Sequence, residues 1–157
     1  MKFVVFTFLL AITITSCGAQ NSYKNISERN GKIGIGTSNP DELLTVKGKI
    51  HTQEVIVDLK GAVAPDYVFE AYFDGASTLL PEYKMLTLQE LAHYIEVNHH
   101  LPKIPSAETL GKEGLELKKM NLLLLEKIEE LTLYTLEQQA QLVVLKERLT
   151  ALEKKEE

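Results

Sequence analysis

Residues 115–155 read LELKKMNLLLLEKIEELTLYTLEQQAQLVVLKERLTALEKK, a stretch with neither glycine nor proline. Leucine, glutamate, lysine and glutamine dominate it, all strong helix formers. The composition therefore predicts one helix of roughly 40 residues, about 60 Å long. With Leu142 at heptad position a, Ile128, Leu142 and Leu149 fall at a, and Leu117, Leu124, Leu131, Leu145 and Leu152 fall at d. Such a repeat is the seam of a coiled coil, where a and d side chains insert between those of a partner helix. Asn121, Thr135 and Gln138 interrupt the seam; polar seam residues lower stability but can fix register and strand number. A lone chain could bury a stripe of this length only by folding the helix back. Self-association is expected, since most soluble oligomers are homo-oligomers of closed symmetry. Leucine at d with mixed a positions leaves two and three strands both open. The first half is apolar over a wider face (Met120, Leu122, Leu123, Leu125, Tyr134, Leu136), expected to be gripped by the preceding segment. Beyond Gln138 a bare coiled coil is expected.

Working back from the helix, residues 61–114 read as a small α/β head. Four aromatics crowd into Tyr67, Phe69, Tyr72 and Phe73, and Asp74-Gly75-Ala76-Ser77 is a turn sequence. A helix over about 88–98 is predicted: Thr87 and Glu90 form a capping box, and Leu88, Leu91, Ala92 and Ile95 recur at helical spacing. Pro102 bounds it, and Ser106 opens at most a turn of helix before Gly111 and Gly114. Residues 31–60 form a neck of short strands. Ile33-Gly34-Ile35-Gly36 alternates with period two, Asn39-Pro40 is a turn, Leu44 and Val46 alternate again, and Val55-Ile56-Val57 follows. Strands this short bury few side chains, so they gain most if several chains pool them.

The N-terminus carries an address. Lys2 precedes an apolar run from Phe3 to Ile14 that is too short to span a membrane but suits a signal-peptide core, giving a signal peptide over 1–16. Ile14-Thr15-Ser16-Cys17 resembles a bacterial lipobox, and Cys17 is the single cysteine of the chain, so no disulfide can form within it. Lipidation at Cys17 is expected, with 17–30 as a polar tether; plain secretion with cleavage before Gln20 is the alternative. The expected location is accordingly exported, an outer-membrane lipoprotein or the cell surface, with the membrane contacted through the lipid. Across 157 residues the net charge is −5 and no basic stripe is present, which argues against nucleic acid as a partner.

The series Ile33-Gly34-Ile35-Gly36-Thr37, Asn39-Pro40, Leu44-x-Val46-x-Gly48-x-Ile50 resembles the entry segment of bacterial and phage tail-fibre-type proteins. Asp66-Tyr67-Val68-Phe69-Glu70, Leu86 to Leu91, His100-Leu101-Pro102, Ile104 to Ala107, Met120-Asn121 and Lys127 to Tyr134 extend the likeness to the C-terminal module of exported tail-fibre-domain proteins of Gram-negative bacteria. The resemblance implies an α+β chain: a homotrimer with intertwined strands, a small head and a terminal coiled coil. It also invites comparison with the self-cleaving intramolecular chaperone of endosialidase-type tail spikes. No serine at a cleavage junction followed by that family's Asp-x-Arg-Leu-Lys-like stretch is found here.

Chemistry candidates are sparse. His99 and His100 are adjacent, so their side chains diverge, and His93 has Val97 at i+4; no metal site is expected. Ser106 lacks the G-x-S-x-G frame of a hydrolase nucleophile. Gly34 and Gly36 lack the third glycine and following helix of a dinucleotide fingerprint. The aromatic segment is expected to be core, with sugar stacking by a surface adhesin as the alternative. The expected function is therefore a non-enzymatic structural or assembly module without cofactor. It self-associates through Leu117, Leu124, Ile128, Leu131, Thr135, Gln138, Leu142, Leu145, Leu149 and Leu152. A self-cleaving chaperone and a glycan- or receptor-binding adhesin are the alternatives.

Overall fold

In a computed structural model, residues 25–156 are described; the expected signal peptide, Cys17 and most of the expected tether lie outside them. Among the described residues the fold is α+β: a three-stranded sheet, then four helices, the last much the longest. The chain divides into two units, one ending at Val55 and one beginning at Ile56.

In the first unit β1 (Ile26–Arg29) pairs antiparallel with β2 (Lys32–Ile35), and β2 pairs parallel with β3 (Leu44–Val46). The hairpin turns on Asn30 and Gly31, both at positive φ (53° and 75°), the conformation a tight two-residue hairpin requires. The sheet thus begins within the stretch expected to be tether. Gly34 is needed where it stands, since a Cβ there would lie 2.3 Å from the Thr37 carbonyl oxygen and 2.8 Å from Ser27 Oγ. Ser27 Oγ donates to that carbonyl at 2.6 Å. Thr45 is buried and ties the returning loop: its Oγ1 donates to Asp41 Oδ1 at 2.6 Å and accepts from the Asp41 and Glu42 amides at 3.1 Å. The expected strand at Val55-Ile56-Val57 does not form; these residues lie in irregular chain with exposed side chains.

In the described residues of the second unit helices are the only regular secondary structure, so the head expected to be α/β carries no strand. Helix α1 (Tyr67–Asp74) takes up the aromatic segment and ends on Gly75 in the left-handed conformation at φ 83°. Helix α2 (Leu88–Asn98) matches the expected span and has the capping box of Thr87 and Glu90. It closes on His99 at φ 58°, whose amide donates to the Ile95 carbonyl. Helix α3 (Ala107–Glu113) is longer than the single turn expected, because the Ser106 hydroxyl caps it by accepting from the Thr109 amide. Gly111, expected to help close the segment, sits inside it. Helix α4 (Leu117–Glu156) runs 40 residues.

The core lies where α1 crosses α4. Val68 and Leu133 are fully buried, Tyr67 and Tyr134 nearly so, and Phe69, Leu80, Tyr83 and Met85 pack around them. Tyr134 Oη donates to the Leu86 carbonyl at 2.6 Å. Burying a Leu and a Val of this kind is worth about 1.5–3 kcal/mol each, which pins the short α1 to the long helix. The aromatic cluster divides: Tyr67 and Phe69 face the core, whereas Tyr72 and Phe73 face outward, edge to face at 4.9 Å.

Candidate functional site: the helix seam and the polar cluster behind it

In the heptad frame read from the sequence, the positions farthest from an a/d seam are f, flanked by b and c. The α4 residues the head covers are of that set. Glu126 and Leu133 are f, Glu130 is c and Glu129 is b, all buried; Tyr134, at g, is buried beside them. The head is therefore mounted on the back of the helix.

The seam is left bare along its length. Leu117, Leu124, Ile128, Leu131, Leu142, Leu145, Leu149 and Leu152 are between 44% and 63% exposed, and Thr135 and Gln138 are exposed with them. From Gln138 to Lys155 every residue is exposed. An isolated helix shorter than about 12–15 residues is marginal in water, and this tail is little longer, with no packing to support it. The wider apolar face is only half used by the head: Met120, Leu122 and Leu123 are partly covered, while Leu125 and Leu136 stay exposed.

The sheet repeats this arrangement. Ile26, Ile33, Ile35 and Leu44 occupy one face by the pairing register and are all exposed. The opposite face, with Ser27, Gly34 and Thr45, is closed by the chain's own loop. An amphipathic sheet ordinarily buries its apolar side. Here that side is open.

Behind the seam lies a cluster the sequence reading missed. Glu126, 1% exposed, accepts from Tyr67 Oη at 2.5 Å and from Lys103 Nζ at 3.0 Å through Oε2. Its Oε1 accepts no well-aligned hydrogen bond but sits 2.9 Å from both Lys103 Nζ and Lys127 Nζ. Lys127 also contacts Glu130 at 2.8 Å, and Tyr83 Oη donates to Glu130 at 2.9 Å. Lys103 Nζ stands 4.9 Å from the centre of the Tyr83 ring, a cation–π distance. Burial pushes the Glu126 carboxyl up, but the Tyr67 hydrogen bond and the close Lys127 and Lys103 ammonium groups outweigh it and hold the group below the usual glutamate range. Burial, then the Asp66 and Glu126 charges, push Glu129 the other way, and its Oε2 has no hydrogen-bond partner among the described residues. Burial, followed by the Glu130, Glu137 and Glu90 charges, raises the Tyr134 phenol to about 12. Nothing in the local sequence separates these glutamates from solvated ones at other outer heptad positions; only the docking of α1 does.

The remaining sequence candidates are placed as follows. Ser106 Oγ is occupied as the α3 cap. His93 lies 4.0 Å from Glu96 on the surface, His99 ends α2, and His100 packs edge-on to Tyr94 at 5.8 Å. Among the described residues no group of three or more His, Cys, Asp or Glu is placed to hold a metal ion, and no helix is long and apolar enough to cross a membrane. Comparison with family models, with curated proteins and with solved structures finds no match to this chain.

Proposed function

We propose that this chain is a non-enzymatic structural module that self-associates through α4 as a homotrimer, in the manner of a tail-fibre segment, and is tethered to a membrane by a lipid on Cys17. The carrying observation is the opposition of two faces on one helix: the head covers the f-centred line and leaves the whole a/d seam uncovered. Completing the burial of eight half-exposed Leu and Ile side chains contributes on the order of 8 kcal/mol per chain. That is comparable with the roughly 4–15 kcal/mol of association entropy to be overcome. The open apolar face of the sheet supplies a second surface that several copies can share, which explains why strands so short persist. Light scattering of the full chain in detergent tests this. A multiple of the single-chain mass is expected, falling to one copy for Leu145→Glu. A wild-type monomer whose helix still reaches Leu149 overturns it.

A second reading has its own observation. Tyr72 and Phe73 form an exposed edge-to-face pair at the end of α1, a geometry that stacks on sugar rings. Glycan-array binding abolished by Tyr72→Ala with assembly intact supports this adhesin role; a blank array removes it.

A further inference from the structure

The seam has chemistry that selects how copies meet, and this step rests on the self-association proposed above. Thr135 Oγ1 donates to the Leu131 carbonyl at 2.8 Å within its own helix. A hydroxyl has one donor and two acceptor lone pairs, so toward a neighbour Thr135 is left as an acceptor only. Gln138, one layer on, carries two amide donors and is exposed. In a parallel coiled coil an a side chain enters a hole bounded by the next d residue of the neighbour, which brings Thr135 of one copy against Gln138 of another.

We infer that second copies dock parallel and in register, keyed by a hydrogen bond from the Gln138 amide of one chain to Thr135 Oγ1 of its neighbour. Two further features of the sequence agree. Polar layers stand at 121, 135 and 138, and only zero stagger matches all three; a slip of two heptads sets Asn121 beside Thr135 but leaves Gln138 against leucine. Antiparallel docking can also join Thr135 to Gln138, but it sets Asn121 against Leu152 and brings Lys127 toward Arg148, two cations. Parallel docking instead sets Arg148 at g beside Glu153 at e of the neighbour, an attractive pair.

The test uses the full chain carrying Cys17→Ser, with single cysteines introduced as Leu145→Cys or Ile128→Cys and oxidised under mild conditions. Parallel docking links Leu145→Cys to itself about tenfold more than to Ile128→Cys in mixed samples, because antiparallel docking leaves Asn121 unpaired against Leu152. Adding Thr135→Val with Gln138→Leu should raise thermal stability while links from Leu145→Cys to Leu131→Cys, which mark a slip of two heptads, rise about tenfold. A monomer by light scattering removes the self-association itself. An oligomer that links Leu145→Cys chiefly to Ile128→Cys overturns parallel docking alone. No rise in the slipped links of the doubly apolar variant overturns the keying role of the pair.

Discussion

Glu126→Gln is the sharpest probe of how the head is held to the helix. The substitution keeps volume and an oxygen for the Tyr67 hydroxyl, but removes the charge that faces Lys103 and Lys127 at 2.9 Å. Hydrogen bonds to charged groups contribute about 1.5–3 kcal/mol each, and breaking a buried ion pair costs about 3–5 kcal/mol. The lower end applies, because neither lysine is stranded: Lys127 keeps Glu130, and the half-exposed Lys103 can turn to water. A loss of about 2–3 kcal/mol is expected, part of it returned because an amide costs less to bury than a carboxylate. The chain has no tryptophan, so near-ultraviolet circular dichroism reports tyrosines, among them Tyr67, Tyr83 and Tyr134 of the head–helix contact. With a urea dependence of about 1–3 kcal/mol per molar, the near-ultraviolet midpoint should fall by about 1–2 M. The pH dependence follows from the same contacts. The folded carboxyl is held below its unfolded value, so its contribution is full above the ordinary glutamate range and is lost as pH falls through the depressed folded value. The variant should lack that part of the acid loss. A midpoint within about 0.3 M of wild type, with an unchanged acid limb, refutes the claim that this cluster holds the head.

Three further expectations use the same unfolding or exchange measurements. Leu133→Ala, at a fully buried site, should cost about 3–4 kcal/mol in the near-ultraviolet transition, whereas Leu136→Ala, 55% exposed, should stay within about 0.5 kcal/mol. Glu129 shows the opposite linkage to Glu126: its raised folded value means its contribution is present below the ordinary glutamate range and is lost as pH rises through the folded value. Glu129→Gln should flatten that decline in a pH series of urea midpoints; an unchanged decline would place its cause elsewhere. Gly34→Ala drives a Cβ into the Thr37 carbonyl, so hydrogen-exchange protection of the Ile33 and Lys47 amides, which bond to Leu43 and Ile35, should fall; retained protection would mean the loop yields freely.

Much of the architecture was legible because it rests on local rules. The long helix follows from composition and the absence of breakers, and α2 from a capping box whose partners are three residues apart. The Asn30-Gly31 hairpin was equally local, and was missed although Asn-Gly is a strong hairpin signal. The polar residues before it read as tether, and β1 lies among them. Val55-Ile56-Val57 misled in the other direction, since β-branched composition makes no strand without a partner edge.

The heptad frame alone determined which residues share one apolar stripe of the helix, because a seven-residue repeat fixes a face wherever the helix sits. What the sequence left undecided was which face the chain itself would use. Residues 122–136 are apolar on several sides, and only packing of Val68 and Tyr67 against Leu133 settles that the head takes the f-centred line. The same packing turns Glu126, Glu129 and Glu130 from surface charges into a buried cluster, with Lys103 brought in from 23 residues away. Periodicity is a property of one helix, whereas burial of a charge depends on what a distant segment places over it. Tertiary structure alone decides that.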